Sequence, residues 1–295
     1  DHRDLHKEYR RQRQMCIRDR PNDLLNAQVI SDTHSWGYIS SSTTGEPRHA
    51  LQRARVIGGC SSHNGCVALW GSRLDYDRWK ADGNIGWAMD DLLPFFDKAS
   101  SMLRVREFTP KEITPFHYAC RDAMVHAGIK ASKNLNALDE NIGAGIAPVN
   151  IQNGMRWNTS FAYLDPVRDE GYLTVIGDVL VDKIRLVKGH AISVDAISSE
   201  GILNIRAGRI VLCAGAYNSP TVLLRSGIGS EDSLNRLNIP IQIELPGVGE
   251  NLHDHPSINL KYMGSEVMST LMKESVNSGA IIYTEQSLAK LNSDQ

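Results

Sequence analysis

Residues 209–224 read Arg-Ile-Val-Leu-Cys-Ala-Gly-Ala-Tyr-Asn-Ser-Pro-Thr-Val-Leu-Leu. The near-continuous apolar run at 209–213 predicts a strand that is buried on both faces. Small residues follow it at 214–216, and apolar positions at helical spacing then continue through Leu224, so a strand, a tight turn and a helix come in that order. The N-terminus of such a helix offers backbone N–H groups to an anion. The stretch therefore indicates an α/β fold. It is only moderately specific for a bound ligand, because many α/β proteins carry this turn without one.

The segments upstream of this stretch extend the mixed pattern. Short β-branched segments separated by Gly, Asp and Ser predict the strands of a β-meander, at 173–176, 179–186, 191–197 and 202–205. Further upstream, apolar residues at helical spacing predict helices over 74–80, 89–98 and 117–127, the last ending at the C-cap glycine Gly128. Helices and strands are thus interspersed along the chain.

The composition excludes several classes of protein. Of the 295 residues, 41% are hydrophobic and 22% are charged, which rules out a collagen, a disordered chain and a disulfide miniprotein. The formal net charge of −2 argues against a dedicated nucleic-acid-binding protein. No apolar run approaches the roughly 18 residues that a membrane-spanning helix needs, so we expect no membrane span.

Residues 1–20 differ in charge from the rest of the chain. They hold seven Lys or Arg residues and four Asp or Glu residues, whereas the remainder holds 25 basic and 30 acidic residues. The stretch lacks the apolar core of a secretory signal, and its acidic residues do not suit a transit peptide. We interpret residues 1–20 as a tail that is not native to the protein, and with no signal in the chain we expect a cytoplasmic location.

The cysteines follow no recognisable pattern. There are five of them, and no Cys-x-x-Cys pair occurs among Cys16, Cys60, Cys66, Cys120 and Cys213. A disulfide framework or a structural zinc site would need paired spacing. We therefore expect thiols in a reducing compartment.

A second glycine-rich stretch lies at 53–66, which reads RARVIGGCSSHNGC. The adjacent glycines Gly58 and Gly59 permit a positive φ or a close backbone approach. Ser61, Ser62 and Asn64 add polar side chains that suit the polar edge of a cofactor. The stretch is not a P-loop, because no Gly-Lys-Ser/Thr sequence follows it. On spacing alone, an ordinary tight turn is the simpler interpretation.

Three ordered motifs carry a family resemblance. The stretch 53–66 resembles the Arg-x-x-Gly-Gly-Ser-Ser-x-x-Asn signature of the glucose–methanol–choline (GMC) oxidoreductases. Residues 215–229 (GAYNSPTVLLRSGIG) are similar to the second signature of that family, and residues 251–256 (NLHDHP) match its Asn-Leu-x-Asp-His-Pro segment. The resemblance implies an FAD-dependent enzyme that oxidises the CH–OH group of an alcohol to an aldehyde or ketone, with hydride transfer to flavin N5. It also implies O₂ or another electron acceptor as the second partner.

Carried over position by position, the resemblance implies a set of FAD-binding residues: Gly58, Gly59, Cys60, His63, Asn64, Gly65, Cys66, Val181, Ala214 and Gly215. Within it, Asn64 and Gly65 would lie against the flavin ring and Cys60 along the ribityl–phosphate side. The backbone of Val181 would meet the adenine, and Ala214 and Gly215 would pass near the pyrophosphate.

The run Cys60-Ser61-Ser62-His63-Asn64 resembles the choline-oxidase-like branch of the family. In that branch the histidine at this position is bonded to the 8α-methyl carbon of the flavin, so the resemblance implies that His63 tethers FAD. The alternative is a histidine that packs beside the flavin or bonds a backbone carbonyl.

Two departures from that branch bear on the substrate. Its choline-oxidising members carry a serine where this chain has Gly65, and a glutamate that neutralises a trimethylammonium group where this chain has Asn277, with Glu274 nearby. A quaternary-amine substrate is therefore not supported, and an uncharged primary alcohol fits at least as well.

The resemblance also implies elements that this sequence does not contain. No Gly-x-Gly-x-x-Gly turn occurs ahead of residue 58, and we expect the catalytic histidine beyond Gln295, so we assign no catalytic residue within the chain. We interpret the chain as an internal fragment that is inactive in isolation. The implied fold is α/β (α+β mixed): a partial doubly wound FAD-binding domain with a β-meander, at 21–100 and 165–256, and part of a substrate-binding domain, at 101–164 and 257–295.

Two other functions compete with alcohol oxidation. The chain could be a non-catalytic binding or scaffolding relative that keeps a remnant of the flavin fold. It could also be a metal-dependent hydrolase that uses His253 and His255. The resemblance implies a structural role near the cofactor for this segment, so we assign no metal site.

Overall fold

The computed structural model describes residues 34–41, 48–136, 143–255, 258, 263–278 and 280. The chain divides into two units. The first comprises Asp1–Leu173 and Tyr262–Gln295, and the second comprises Thr174–Lys261. The predicted tail at residues 1–20 lies outside the described residues.

Helices and strands are interspersed, which confirms the mixed α/β class. The helices are α1 (Arg73–Ala81), α2 (Met89–Met102), α3 (Pro115–His126), α4 (Gly215–Arg225), α5 (Glu231–Arg236) and α6 (Glu266–Asn277). The strands are β1 (Tyr38–Ile39), β2 (Ala50–Leu51), β3 (Ile151–Gln152), β4 (Met155–Arg156), β5 (Leu180–Val187), β6 (His190–Ser198), β7 (Gly201–Arg206), β8 (Ile228–Gly229) and β9 (Ile243–Glu244).

The three predicted helices of the first unit are present, and local capping sets their ends. The Ser72 hydroxyl accepts a hydrogen bond from the Asp75 N–H at the start of α1, and the Thr114 hydroxyl does the same for the His117 N–H at the start of α3. After α3 the chain turns at Gly128, whose φ of +94° explains the glycine there.

The core of the first unit joins the end of the glycine-rich stretch to the β3–β4 hairpin. Cys66, Val149 and Ile151 are completely buried, and Phe108 packs against them. Val67 forms an antiparallel bridge with Val149, and the Asn150 N–H donates to the Cys66 carbonyl at 3.0 Å. The hairpin is thereby held directly behind residues 58–66.

The second unit is built on a three-stranded antiparallel meander in the order β5-β6-β7. Its register pairs Ile184 with Val194, and Val194 in turn with Ile205. Helix α4 contacts β5, where the buried Ser226 hydroxyl accepts a hydrogen bond from the Ile184 N–H at 2.8 Å. Three of the four predicted strands are therefore present, whereas residues 173–176 form no strand.

The prediction of a buried strand at 209–213 is wrong for the described structure. These residues lie outside the assigned strands, and Val211 is 76% exposed. A buried strand needs neighbours that accept its backbone hydrogen bonds on both sides. Within the described part of the second unit, parallel pairing is limited to β8 and β9, which are two residues long.

In the described part of the chain, no helix is both long enough and apolar enough to cross a membrane.

Candidate cofactor-binding site

The glycine-rich stretch folds into a compact 3-10 turn over Gly59–Ser62. Gly58 and Gly59 enter it with φ angles of +89° and +54°. A Cβ atom on Gly58 would lie 2.5 Å from the Ser62 hydroxyl, so only glycine fits at that position. The His63 and Asn64 N–H groups both donate to the Cys60 carbonyl, at 3.2 and 3.0 Å, and close the turn.

The turn has a buried inner face and an accessible outer face. Ser62 and Cys66 are buried, whereas Cys60 and Asn64 are exposed. His63 lies between the two faces and is partly buried, with its Nε2 atom shielded from solvent. The turn thus offers an imidazole, an amide and a thiol along one short loop.

Arg156, at the end of β4, holds the inner face. Its guanidinium donates from Nη1 to the Ser62 carbonyl and from Nη2 to the Asn64 carbonyl, both at 2.7 Å. Its Nε donates to Cys66 Sγ at 3.2 Å. The arginine is only 4% exposed, so these bonds form away from bulk water, where hydrogen bonds from a charged group are strong.

Asn158 and Thr159, shortly after Arg156, hold the upstream half of the turn, residues 58–62. The buried Asn158 donates from Nδ2 to the Ser62 hydroxyl at 3.1 Å, and the Thr159 N–H donates to the Ser61 hydroxyl at 3.0 Å. Ser61 and Ser62 in turn donate to carbonyls within the stretch, at Gly58 and Ile57. The two serines therefore serve the internal structure of the turn.

Sequence reasoning missed this supporting segment, residues 156–159. The available signal was a run of polar residues, Arg-Trp-Asn-Thr-Ser at 156–160, placed directly after a turn at Asn153 and Gly154. Such a run reads as a solvated loop until the structure shows that Arg156 and Asn158 are buried.

The other predicted site residues, Val181, Ala214 and Gly215, belong to the second unit. Val181 lies on β5, where its carbonyl accepts a hydrogen bond from Arg225, the last residue of α4. Ala214 and Gly215 are exposed at the other end of that helix. Because α4 has 11 residues, its two ends are separated by roughly 15 Å. The structure therefore places the predicted adenine and pyrophosphate contacts at opposite ends of α4.

A cavity of about 680 Å³ adjoins α4 in the second unit. It lies between the helix and residues 249–253, and is lined by Ala216, Tyr217, Pro220, Thr221, Leu224, Gly249, Glu250, Asn251, Leu252 and His253. Its volume is in the range of small-molecule sites. Ala214 and Gly215 are not among the lining residues, which begin one position further along the helix.

The histidines of the third motif, residues 251–256, do not form a metal-ligand cluster in the described structure. His253 and His255 are exposed, and no group of three or more His, Cys, Asp or Glu side chains in the described ranges is arranged to hold a metal ion. A catalytic metal site normally takes three protein ligands.

A family model described as GMC oxidoreductase matches residues 36–257. The chain belongs to the GMC family of FAD-dependent oxidoreductases. The matched range contains all the predicted cofactor-binding residues.

Individual GMC relatives agree with this assignment. Human mitochondrial choline dehydrogenase is 33% identical over 251 residues, which are 80% of this chain and 42% of the relative. The glucose dehydrogenase (FAD, quinone) of Drosophila melanogaster is 35% identical over 228 residues, covering 71% of this chain and 36% of the relative. The chain thus spans less than half the length of these curated relatives.

A solved structure confirms the GMC fold. The crystal structure of pyridoxine 4-oxidase from Mesorbium loti superposes with a TM-score of 0.70 at 28% identity, covering 77% of this chain and 47% of that one.

The residues present in each unit fit FAD. In the first unit, a Cβ on Gly59 would meet no atom within 4 Å, so a planar ring can approach the backbone of the outer face. In the second unit, Gly215 is equally open, and the first turn of α4 carries no acidic residue. A helix N-terminus without nearby carboxylates suits the negative charge of a pyrophosphate.

Asn277 and Glu274 are the two residues that bear on whether the substrate carries a positive charge. Both lie on α6 and are exposed. They are three residues apart, so they share one face of the helix.

Proposed function

We propose that the protein oxidises the CH–OH group of an alcohol to an aldehyde or ketone with FAD as its cofactor. The observation that carries the proposal is the turn at 58–66. It is locked from behind by Arg156, Asn158 and Thr159. It exposes Cys60 and Asn64 and holds the partly buried His63 between its two faces. When bound, FAD would take up the hydride that leaves the carbinol carbon.

The chain's own residues would bind and orient the cofactor. We assign Gly58, Gly59, Cys60, His63, Asn64 and Gly65 to the flavin and ribityl end. Cys66, which we expected to contact the cofactor, is completely buried against Arg156 and would support the turn from its inner face. We assign Val181 to the adenine, and Ala214 and Gly215 to the pyrophosphate. The rigidity of the turn supports this role, because a cofactor-binding group must be held within a fraction of an ångström of its working position.

We further propose that His63 bonds covalently to the 8α-methyl carbon of the flavin. The new C–N bond would replace a C–H bond, whose hydrogen would leave as a proton while its electron pair reduces the flavin ring; O₂ or the other acceptor would then reoxidise the ring. A neutral imidazole nitrogen is a competent nucleophile, and the backbone on both sides of His63 is anchored to Arg156. If the histidine only packs beside the ring, the flavin will be bound without a covalent link.

The substrate we propose is an uncharged primary alcohol. Relatives are named for choline, glucose and pyridoxine, so the family name alone does not select one. The resemblance aligns Asn277 with the glutamate that neutralises a quaternary ammonium group, and Glu274 is the carboxylate on the same face of α6. The reduced cofactor would pass its electrons to O₂ or another acceptor. Oxidation also needs a base for the hydroxyl proton, a role that we assign to no residue in the described ranges.

The test uses the protein expressed from its complete reading frame. The purified protein should show visible flavin absorbance, and an alcohol substrate should bleach it in the absence of an electron acceptor. The proposal fails if the protein carries no flavin and added FAD does not restore it.

The tether is tested in the same protein by acid precipitation. Wild-type protein should retain flavin in the pellet, whereas His63→Ala should release it. His126→Ala, at the end of α3, is the matched control and should behave like wild type. Complete release of flavin from the wild-type pellet would contradict the covalent bond.

A further inference from the structure

One guanidinium bonds the backbone carbonyls of the two residues next to His63, Ser62 and Asn64. Ser62 comes before His63 and Asn64 comes after it, and the carbonyl of each accepts a hydrogen bond from Arg156 at 2.7 Å. Since a guanidinium is planar and rigid, these two bonds fix the direction in which the backbone passes through His63. The Nε bond to Cys66 Sγ fixes the orientation of the guanidinium itself.

The supports of the turn are divided between its two halves. Within the turn, Asn158 and Thr159 bond to residues upstream of His63, namely Ser62, Ser61 and Gly58. Among these supporting side chains, Arg156 alone bonds a residue downstream of His63. Loss of the guanidinium therefore removes this side-chain support from the residues around His63, while the backbone hydrogen bonds of the turn and the supports of its upstream half remain.

We infer that Arg156 is a positioning residue that sets the orientation of the His63 side chain toward the flavin. This inference rests on the proposed function, since it assumes that FAD binds beside the turn. The position requires arginine in particular. A lysine ammonium is a compact charge on a flexible stem, and it does not reproduce the planar fork that donates to both carbonyls.

The experiment compares Arg156→Lys with Arg106→Lys in the protein expressed from its complete reading frame. Arg106 is a matched control, because its Nε also donates to a buried backbone carbonyl, that of Ile151 at 2.7 Å, and its partners lie outside the turn. Far-ultraviolet circular dichroism establishes that both variants fold.

Three readouts are taken: amide hydrogen exchange at residues 60–66 in flavin-free protein, the visible spectrum of bound flavin, and the fraction of bound flavin that stays in an acid pellet. Arg156→Lys should exchange faster at 63–66 and shift the flavin spectrum. It should also lower the acid-stable fraction about tenfold, because a displaced nucleophile attacks poorly. Arg106→Lys should match wild type in all three.

The outcomes separate the inference from the function on which it rests. Absence of flavin from wild-type protein overturns the proposed function, whatever Arg156 does. If wild-type flavin is released by acid, the covalent bond fails, and an altered flavin spectrum in Arg156→Lys still supports the positioning role. If the flavin spectrum and the acid-stable fraction are the same in Arg156→Lys as in wild type, the inference is overturned.

Discussion

Arg156 Nε lies 3.2 Å from Cys66 Sγ, a hydrogen bond between residues 90 positions apart in the chain. Both side chains are buried, at 4% and 0% exposure. The bond holds the glycine-rich stretch against the β3–β4 hairpin. The shape of the candidate site therefore depends on this hairpin, although the accessible side chains of the site all come from the glycine-rich stretch.

Gly58 and Gly59 should differ sharply in their tolerance of alanine. Both have positive φ angles, but a Cβ on Gly58 would lie 2.5 Å from the Ser62 hydroxyl, whereas a Cβ on Gly59 would meet nothing within 4 Å. We expect Gly58→Ala to lower the free energy of unfolding by about 3 kcal/mol and Gly59→Ala by about 1 kcal/mol. Urea denaturation of the two variants measures the difference, and equal losses would contradict the steric explanation.

Glu112 should contribute to stability only above acidic pH. Hydrogen bonds from Arg106, with further bonds from Thr109, lower the pKa of its carboxyl from 4.5 to about 2. A group whose pKa is lower in the folded state stabilises the protein above its unfolded pKa and loses that contribution as pH falls toward the folded pKa. Glu112→Gln should therefore cost about 2 kcal/mol at pH 7, and progressively less between about pH 4.5 and about pH 2.

The measurement for Glu112 is chemical denaturation across that pH range. Glu107→Gln is the control, because Glu107 is a neighbouring exposed acid whose side chain does not take part in the Arg106–Thr109 network. A difference between wild type and Glu112→Gln that stayed constant from pH 7 to pH 2 would show that the carboxylate charge is not what stabilises the loop.

Ser226 should contribute to the stability of the second unit through its buried hydroxyl. Its buried hydroxyl accepts from the Ile184 N–H at 2.8 Å and donates to the Val222 carbonyl at 2.6 Å, so it joins α4 to β5. Ser226→Ala leaves the buried Ile184 N–H without this acceptor and should cost about 2 kcal/mol of unfolding free energy. Ser198→Ala removes an exposed turn hydrogen bond and should cost less than about 0.5 kcal/mol. Similar losses for both variants would contradict a special role for the buried hydroxyl.

The cysteines should differ in their reactivity toward a thiol reagent. Cys60 and Cys213 are exposed, Cys120 is partly buried and Cys66 is buried. Peptide mapping after brief labelling should find Cys60 and Cys213 modified and Cys66 protected by about 100-fold or more, since its labelling requires local opening. In denaturant all four should react alike. Rapid labelling of Cys66 in native protein would show that the inner face of the turn is open.

Prediction from the sequence succeeded where the determining interactions are local. Helices α1, α2 and α3 and the strands of the meander follow from apolar periodicity and from capping residues such as Ser72 and Thr114. The assignment of site residues to FAD, and the domain boundaries, remain predictions. Prediction failed at 209–213, where an apolar run indicated a buried strand but Val211 is exposed, because burial of a strand depends on partners elsewhere in the chain.

The amino-acid sequence alone determined the GMC family and the glycines of the turn, because motif spacing and positive-φ positions are local properties of the chain. Only the tertiary structure revealed that Arg156, Asn158 and Thr159 lie behind that turn. These residues are 90 or more positions from their partners, and a polar run gives no local sign of burial. Pairing over that distance is fixed by packing of the Cys66, Val149 and Ile151 core, which forms only when the chain folds.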